Sequence, residues 1–475
     1  MATTRSFSRR NFLAVLGGTV TASILASCGQ SGTGGAEAPA KSGEAPKAAA
    51  PAAPAAPAAA GTPAADVGKP VTPGVFNVWF SSNWNTVTDE AVGNAFVDWG
   101  KQNGVKVEYQ AIPGGPQLFA KESAAVAAGQ PPEINRTNLI YWYTQGEMPD
   151  LRELATKFKD KAGGMYPIAL SSQTASDGGL FAASYAIDTW PPHWRTDVIG
   201  PATGGRFFET WDELIELGPK VQKPPQTFTI AFSLGHEGDH VNNVVHVLWA
   251  YGGRLCDEKG VPDIKNPANK AGIETIVRMW KAKLIPPDSF AQTVTSWNNE
   301  TYQKGRALSA INPATIMGWL EVNDKELGEK TGLAQNPKGP AGSFAEGQGL
   351  GFNYFKKAKM ADKAPSALEY FLQPETLLKV SKAVEGRFVP IYRDHSKGEF
   401  WEKSKYAELK LIAENGRIRE WPANNQPWIT DLNSAKFTLS DMINKIVNEN
   451  MSIEDAQEWA QNDMMDSYNK LVKKA

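Results

Sequence analysis

One short stretch narrows the possible folds more than any other. Val75, Phe76, Val78, Trp79 and Phe80 form a nearly unbroken apolar run of strand length. A strand with one face in water alternates, whereas a run like this is buried on both faces, as in a parallel sheet covered by helices. The downstream pattern agrees. After a polar loop, a helix is predicted with its cap near Thr88 or Asp89. Ala91, Val92, Ala95, Phe96 and Trp99 lie on one face, and Gly104 follows its end. Val105, Val107 and Tyr109 alternate as a second strand. Residues 117–128 read as a second helix, stopped by Gly129 and Pro131–Pro132, and Ile134 opens a short third strand. This is βαβαβ, with right-handed crossovers expected.

Helix punctuation continues along the chain. Asp150 with Glu153 and Thr210 with Glu213 have the spacing of capping boxes. Asn266–Pro267 opens a helix carrying Ile273, Ile276, Val277 and Trp280. Ser452 to Asp455 caps the last one, with Ala456, Trp459 and Ala460 inward. Two more helices fit 361–372 and 374–384, and strands fit 228–232 and 307–311. Gly347, Gly349 and Gly351 are too weak a pattern for a dinucleotide site and read as a tight chain crossing.

The first 73 residues read as something other than fold. Ser8-Arg9-Arg10-Asn11-Phe12-Leu13, an apolar run to Ala26 and small residues before Cys28 have the parts of an export signal. The apolar stretch falls short of the ~20 residues that span a bilayer. Arg9–Arg10 resembles a twin-arginine signal, with Ala14 a departure from its usual Lys, and Leu25-Ala26-Ser27-Cys28 resembles a lipobox. Residues 1–27 are therefore expected to be removed and Cys28 lipidated. Residues 28–73 are rich in Ala, Pro and Gly, a composition that cannot offset its own ordering entropy, and they read as a disordered tether of ~35–40 Å. Loss of Arg5, Arg9 and Arg10 takes the net charge from −2 to −5, so no basic nucleic-acid surface is expected. With Cys28 lipidated, Cys256 stands alone and no disulfide forms within the chain.

The order of these signals resembles the family 1 extracellular solute-binding proteins of ABC importers, the group that includes maltose-binding proteins. Ala128-Gly129-Gln130-Pro131-Pro132-Glu133 is similar to the family turn that usually ends in Pro-Asp. Thr210-Trp211-Asp212-Glu213-Leu214 matches its helix start, and Ala250-Tyr251-Gly252-Gly253 with Asp257 its glycine turn. Tyr302 to Ala310 around Gly305, and Ser452 to Ala456, follow in the right order. Pro191-Pro192-His193-Trp194-Arg195 departs from the family pattern near the expected inter-lobe crossing. The resemblance implies an α/β, two-lobed periplasmic-binding-protein-like fold of type II. Its parallel-rich sheets are flanked by helices, and chain crossings join the lobes. One lobe is expected at 74–185 plus 349–392, the other at 188–346 plus 395–475. It also implies a monomeric receptor without catalytic residues or cofactor. Such a receptor is held outside the cytoplasmic membrane through Cys28, takes a sugar or other polyhydroxylated ligand between its lobes, and hands it to importer permease subunits.

Sugars present hydroxyls and apolar ring faces, which suit indole stacking and polar rims. Of the 15 tryptophans, Trp99, Trp211, Trp280 and Trp459 sit on helix patterns and read as core. Trp84, Trp142, Trp190, Trp297, Trp319, Trp421 and Trp428 are candidates because they sit in predicted loops with polar neighbours. The resemblance points to Asn83 and Trp84 after the first strand, and Arg136, Asn138 and Trp142 after the third. It also points to Tyr185, Asp188 and Trp190 at the first crossing, Asn312 at a strand end, and Trp421 and Trp428 in a late loop. An ion pair is an equal reading for Arg136 and Asp188.

One motif points elsewhere. His236-Glu237-Gly238-Asp239-His240 fits the H-E-x-x-H pattern of zinc proteases, which makes an exported zinc-dependent hydrolase the alternative. That chemistry needs both histidines on one helix face, and Gly235 and Gly238 favour a loop or helix start. In a loop, His236 and Glu237 would still face the cleft as ligand contacts. No phosphate loop and no G-x-S-x-G elbow is present.

Overall fold

The computed structural model describes residues 70–82, 86–112, 116–294 and 296–472. The expected signal, Cys28, the tether up to residue 69, and the candidates Asn83 and Trp84 lie outside the described residues. Two sheets carry the fold. The larger has six strands: β1 (Phe76–Ser81), β2 (Val107–Ile112), β3 (Ile134–Asn135), β4 (Ala183–Thr189), β8 (Gly347–Tyr354) and β9 (Val389–Pro390), in the order β2-β1-β3-β8-β4-β9. The smaller holds β5 (Pro192–Arg195), β6 (Ser309–Ile311) and β7 (Thr331–Leu333), with β5 in the middle.

The opening run behaves as its composition dictates. Phe76, Val78, Trp79 and Phe80 in β1 are all buried, and β1 pairs parallel with both β2 and β3. Helix Thr86–Asn103 lays Val92, Ala95, Phe96 and Trp99 against this sheet. Phe96 stacks on Phe371 of helix Ala364–Leu372 with ring centroids 4.7 Å apart. Between the named strands the other pairs are antiparallel. β8 joins β3 and β4 antiparallel, and both pairs of the smaller sheet are antiparallel. The sheets are thus more mixed than the βαβαβ start alone suggests. The stretch 228–232, expected as a strand, runs beside β6 with isolated parallel bridges at Phe228–Ala307 and Ala231–Ala310.

Three chain segments run side by side between the two sheets. β4 passes into β5 through Trp190–Pro191, and Trp190 N–H donates to the Glu346 carbonyl at 3.1 Å. Arg417 N–H donates to Ala345 O at 3.0 Å, and Gly347 N–H to Arg417 O at 3.1 Å. A boundary between 392 and 395 does not coincide with this ribbon. Helix Ala407–Asn415 packs on helix Pro167–Ser171, β4 and β9, whereas Ala423, Trp428, Met442 and Met464 pack with the second apolar cluster, that of Trp211, Ile230 and Trp249.

The glycine run 347–351, read as a tight chain crossing, leaves the inter-sheet ribbon at Gly347 and continues as strand β8. Its glycines serve close approach: a Cβ on Gly349 would stand 2.3 Å from Ser184 Oγ, and one on Gly351 would stand 2.8 Å from Ala183 O. Local caps hold as spaced. Thr210 Oγ1 accepts from Glu213 N–H at 3.0 Å, Asn266 Oδ1 from Ala268 N–H at 3.0 Å and Ser452 Oγ from Asp455 N–H at 3.1 Å. At 150 the outcome differs: Asp150 Oδ1 accepts from Arg152 N–H and Leu180 N–H, and Leu151 is the N-cap of helix Arg152–Phe158.

Candidate functional site

The parallel strands β1 and β3 end at Ser81 and Asn135, and open α/β sheets bind ligands beyond such carboxyl ends. A cavity of about 470 Å³ lies there. Ser81, Arg136, Asn138, Gln173, Phe181 and β8 residues 348–351 wall one side. Arg419, Glu420, Asn425, Gln426 and Ile429, from the segment that packs on the second apolar cluster, wall the other.

Each wall is held from behind. The Arg136 guanidinium donates to the Ser81 carbonyl and lies 4.6 Å from the Phe80 ring centroid. Asn138 takes a left-handed backbone, φ 49°, and its Nδ2 donates to Glu122 Oε2 at 3.1 Å. Burial pushes the Glu122 carboxyl up to about 7. Gln173 donates to Gly349 O, a close contact that glycine permits. Asn425 Nδ2 donates to Thr174 O at 2.8 Å and Ser172 O at 3.1 Å, tying the late segment to the first wall. Arg419 Nε donates to Glu346 Oε1 at 3.0 Å, an ion pair beside the chain crossings. Burial pushes Glu420 up to about 7.

Of the residues singled out in the sequence, the structure brings Arg136 and Asn138 to this cavity. Most candidate aromatics are packed elsewhere. Trp142 is buried, and its indole N–H donates to Glu122 at 2.9 Å. Tyr185 is buried in β4, its ring stacked on Phe352 at 5.0 Å. Trp190 lies in the second cluster, and Trp428 is buried there with its N–H on Gly260 O at 2.9 Å. Trp297 is buried at the start of helix Trp297–Gln303 and donates to Asp288 at 3.3 Å. Trp421 is half-buried, with the Arg417 guanidinium 3.5 Å over its ring. Trp319 is 42% exposed on helix Thr315–Asn323. Asp188 is paired with Arg387 at 2.7 Å, and Asn312 is buried among Asn298, Asn299 and Thr315.

The histidine motif does not form the zinc-protease arrangement. Residues 233–239 are loop and the helix begins at His240, so the two histidines do not share a helical face. His236 is exposed, bonds Asp441 at 2.7 Å and stacks on Phe437 at 4.8 Å. His240 is buried, with Nδ1 on the Glu237 carbonyl. Glu237 is buried and accepts from Ser233 Oγ and, at 2.7 Å, from Asp239 N–H. Burial pushes Glu237 up and the His240 imidazole down to about 4. Among the described residues no three His, Cys, Asp or Glu side chains converge as metal ligands.

Residues 82–377 match the family model of the bacterial extracellular solute-binding proteins. The chain belongs to this family. Solved structures agree at the level of fold. Maltose-bound MalE3 of T. maritima superposes with a TM-score of 0.66 at 18% identity, covering 82% of this chain and 99% of its own. A sugar transporter protein of Arthrobacter chlorophenolicus A6 with bound laminaribiose gives 0.66 at 14%, covering 83% and 99%. An ABC transporter solute-binding protein of Thermotoga lettingae TMO with bound α-D-tagatose gives 0.68 at 15%, covering 83% and 99%. The two-lobed type II fold follows, and the inter-sheet ribbon is where its lobes join. For a solute-binding protein, a cavity walled from both lobes is the natural receptor site. Sequence reasoning missed Gln173, Arg419, Glu420, Asn425 and Gln426. The carboxamide run Asn424-Asn425-Gln426 beside Trp421 was the one legible signal.

Proposed function

We propose that this protein is the extracytoplasmic receptor of an ABC importer and that it captures a sugar or polyol between its lobes. The observation that carries this reading is the 470 Å³ cavity at the strand ends, walled from both lobes mainly by hydrogen-bonding side chains. Relatives of the same fold are described with maltose, laminaribiose and tagatose bound, which supports a polyhydroxylated ligand. Asn138, Gln173 and Asn425 are positioned by internal hydrogen bonds and so meet hydroxyls with little loss of side-chain entropy. Ligand-driven approach of the two walls would then create the form recognised by the permease subunits.

The receptor is not an enzyme in this reading, in keeping with a family of binding proteins. It acts as a monomer, anchored by lipid on Cys28 and standing off the membrane on residues 28–73. Among the described residues no helix is long and apolar enough to cross a membrane. Titration of intrinsic tryptophan fluorescence with a sugar panel tests the ligand class. A saturable change with at least one carbohydrate is expected. A response only to peptides or polyamines would remove the sugar assignment and leave the receptor class.

A further inference from the structure

The cavity sorts its hydrogen-bonding groups in an uneven way. Gln173 commits its amide N–H to Gly349 O, Asn138 to Glu122, Asn425 to Ser172 and Thr174, and Gln426 to Asn424. Their carbonyl oxygens accept from hydroxyl donors, and Asn138, Gln173 and Gln426 each have a second amide hydrogen to give, whereas Asn425 spends both of its own inside the protein. The charged donors on the cavity wall are guanidinium groups. Arg419 is committed to Glu346. Arg136 is different. It is half-buried on the cavity wall, spends one N–H on the Ser81 carbonyl, and lies 4.6 Å from the Phe80 ring centroid and 5.9 Å from that of Tyr185. Among the described residues no carboxylate forms an ion pair with it. Asp89, which with Arg136 flanks Tyr109, is held by Ser82 Oγ at 2.5 Å.

A partly desolvated cation without a paired carboxylate is costly, and a planar fork of donors matches an oxyanion in two-point geometry. Ring contacts hold the guanidinium in place without neutralising it. We propose that the ligand is an acidic sugar: a polyhydroxylated body that meets the carboxamide oxygens and an oxyanion, carboxylate or phosphate, received by Arg136. This rests on the sugar reading above and adds the ligand's charge. Glu420 on the opposite wall opposes it only in part. Burial holds part of that carboxyl protonated at neutral pH, so it can donate to the same ligand.

The test uses the purified protein and matched ligands on one ring: glucose, glucuronate and glucose 6-phosphate, with cellobiose and cellobiouronate as a longer pair. Affinities come from calorimetry at two salt concentrations. At least one acidic member should bind more tightly than its neutral parent by on the order of 30-fold, with a preference that shrinks as salt rises. R136Q should abolish that preference and R136K should keep part of it, each with a melting temperature near that of the parent. Should R136Q fail to fold, R136K and the salt dependence of the parent protein carry the test. Preference for glucuronate identifies a sugar acid, and preference for the phosphate ester identifies a sugar phosphate. If neutral parents bind as tightly as their acids, and the Arg136 variants shift both alike, the acidic ligand is overturned while the sugar receptor stands. If no carbohydrate of either kind binds, the sugar reading itself falls.

Discussion

Indole is ambiguous in a sequence. It stacks on sugars and it fills cores, and its N–H needs a partner in either place. In this chain Trp142, Trp297 and Trp428 find that partner inside, on Glu122, Asp288 and the Gly260 carbonyl. Those partners lie 9 and 20 residues earlier or are a backbone atom 168 residues away, beyond the reach of a helical or strand repeat. Glu122 gives a pH-dependent prediction. Its folded pKa is raised from 4.5 to about 7 by burial, so the native state holds the proton more tightly than the unfolded chain. Its contribution to stability is present below pH 4.5 and lost as pH rises through about 7. E122Q should therefore remove a fall in stability across that window, read as urea midpoints from pH 4 to 8. Buried His246 works in the opposite sense. It is pushed down to about 3, so its part of the stability is lost as pH falls from 6.5. Asp188 and Arg387 are both nearly buried, with side chains 11% and 10% exposed. D188A strands a guanidinium and should cost about 3–5 kcal/mol in chemical denaturation, whereas the apolar double replacement D188L/R387L should recover most of it.

At the scale of elements, local signals were legible and tertiary ones were not. The caps at Thr210, Asn266 and Ser452 form within one turn, so their spacing in sequence is their spacing in space. The run of β1 was legible because burial on both faces leaves a composition without alternation. The glycines of β8 showed a crossing but not a strand, because a glycine that permits a tight path and a glycine that permits close approach are the same letter. What separates them is β4, more than 150 residues earlier, whose Ser184 Oγ would lie 2.3 Å from a Cβ on Gly349. G349A should destabilise by about 1–3 kcal/mol through that overlap. It should also weaken ligand binding, because Gln173 is braced on the same residue; thermal melts and a binding titration read the two effects separately. Arg136 and Asn138 were accessible to sequence reasoning because they follow β3 directly. Gln173 and Asn425 were not, because the cavity wall joins segments some 250 residues apart and carboxamides are ordinary loop residues.

The whole molecule is governed by how its sheets are threaded. β4 sits between β8 and β9 in space, and it runs straight on into the middle strand of the other sheet. The larger sheet is therefore built from two stretches of chain, before and after the single stretch 192–333 that supplies the smaller one. A single proteolytic nick engineered at Trp190–Pro191 should leave two fragments that stay associated through gel filtration and separate only in denaturant. Independent elution of the fragments would show that the strand pairing is weaker than the register implies.

The same threading sets a timetable for the chain as it is made. The inner strands of the larger sheet, β3 and β4, have no neighbours on their open sides until Gly347–Tyr354 has emerged, and the far edge is missing until Val389–Pro390 follows. Long-range pairing of this kind is slow and leaves strand edges exposed in the meantime. Most of the polypeptide must therefore leave the ribosome before the first sheet can close. A truncation product that ends before residue 347 should be a substrate for chaperones and proteases and not a half-sized receptor.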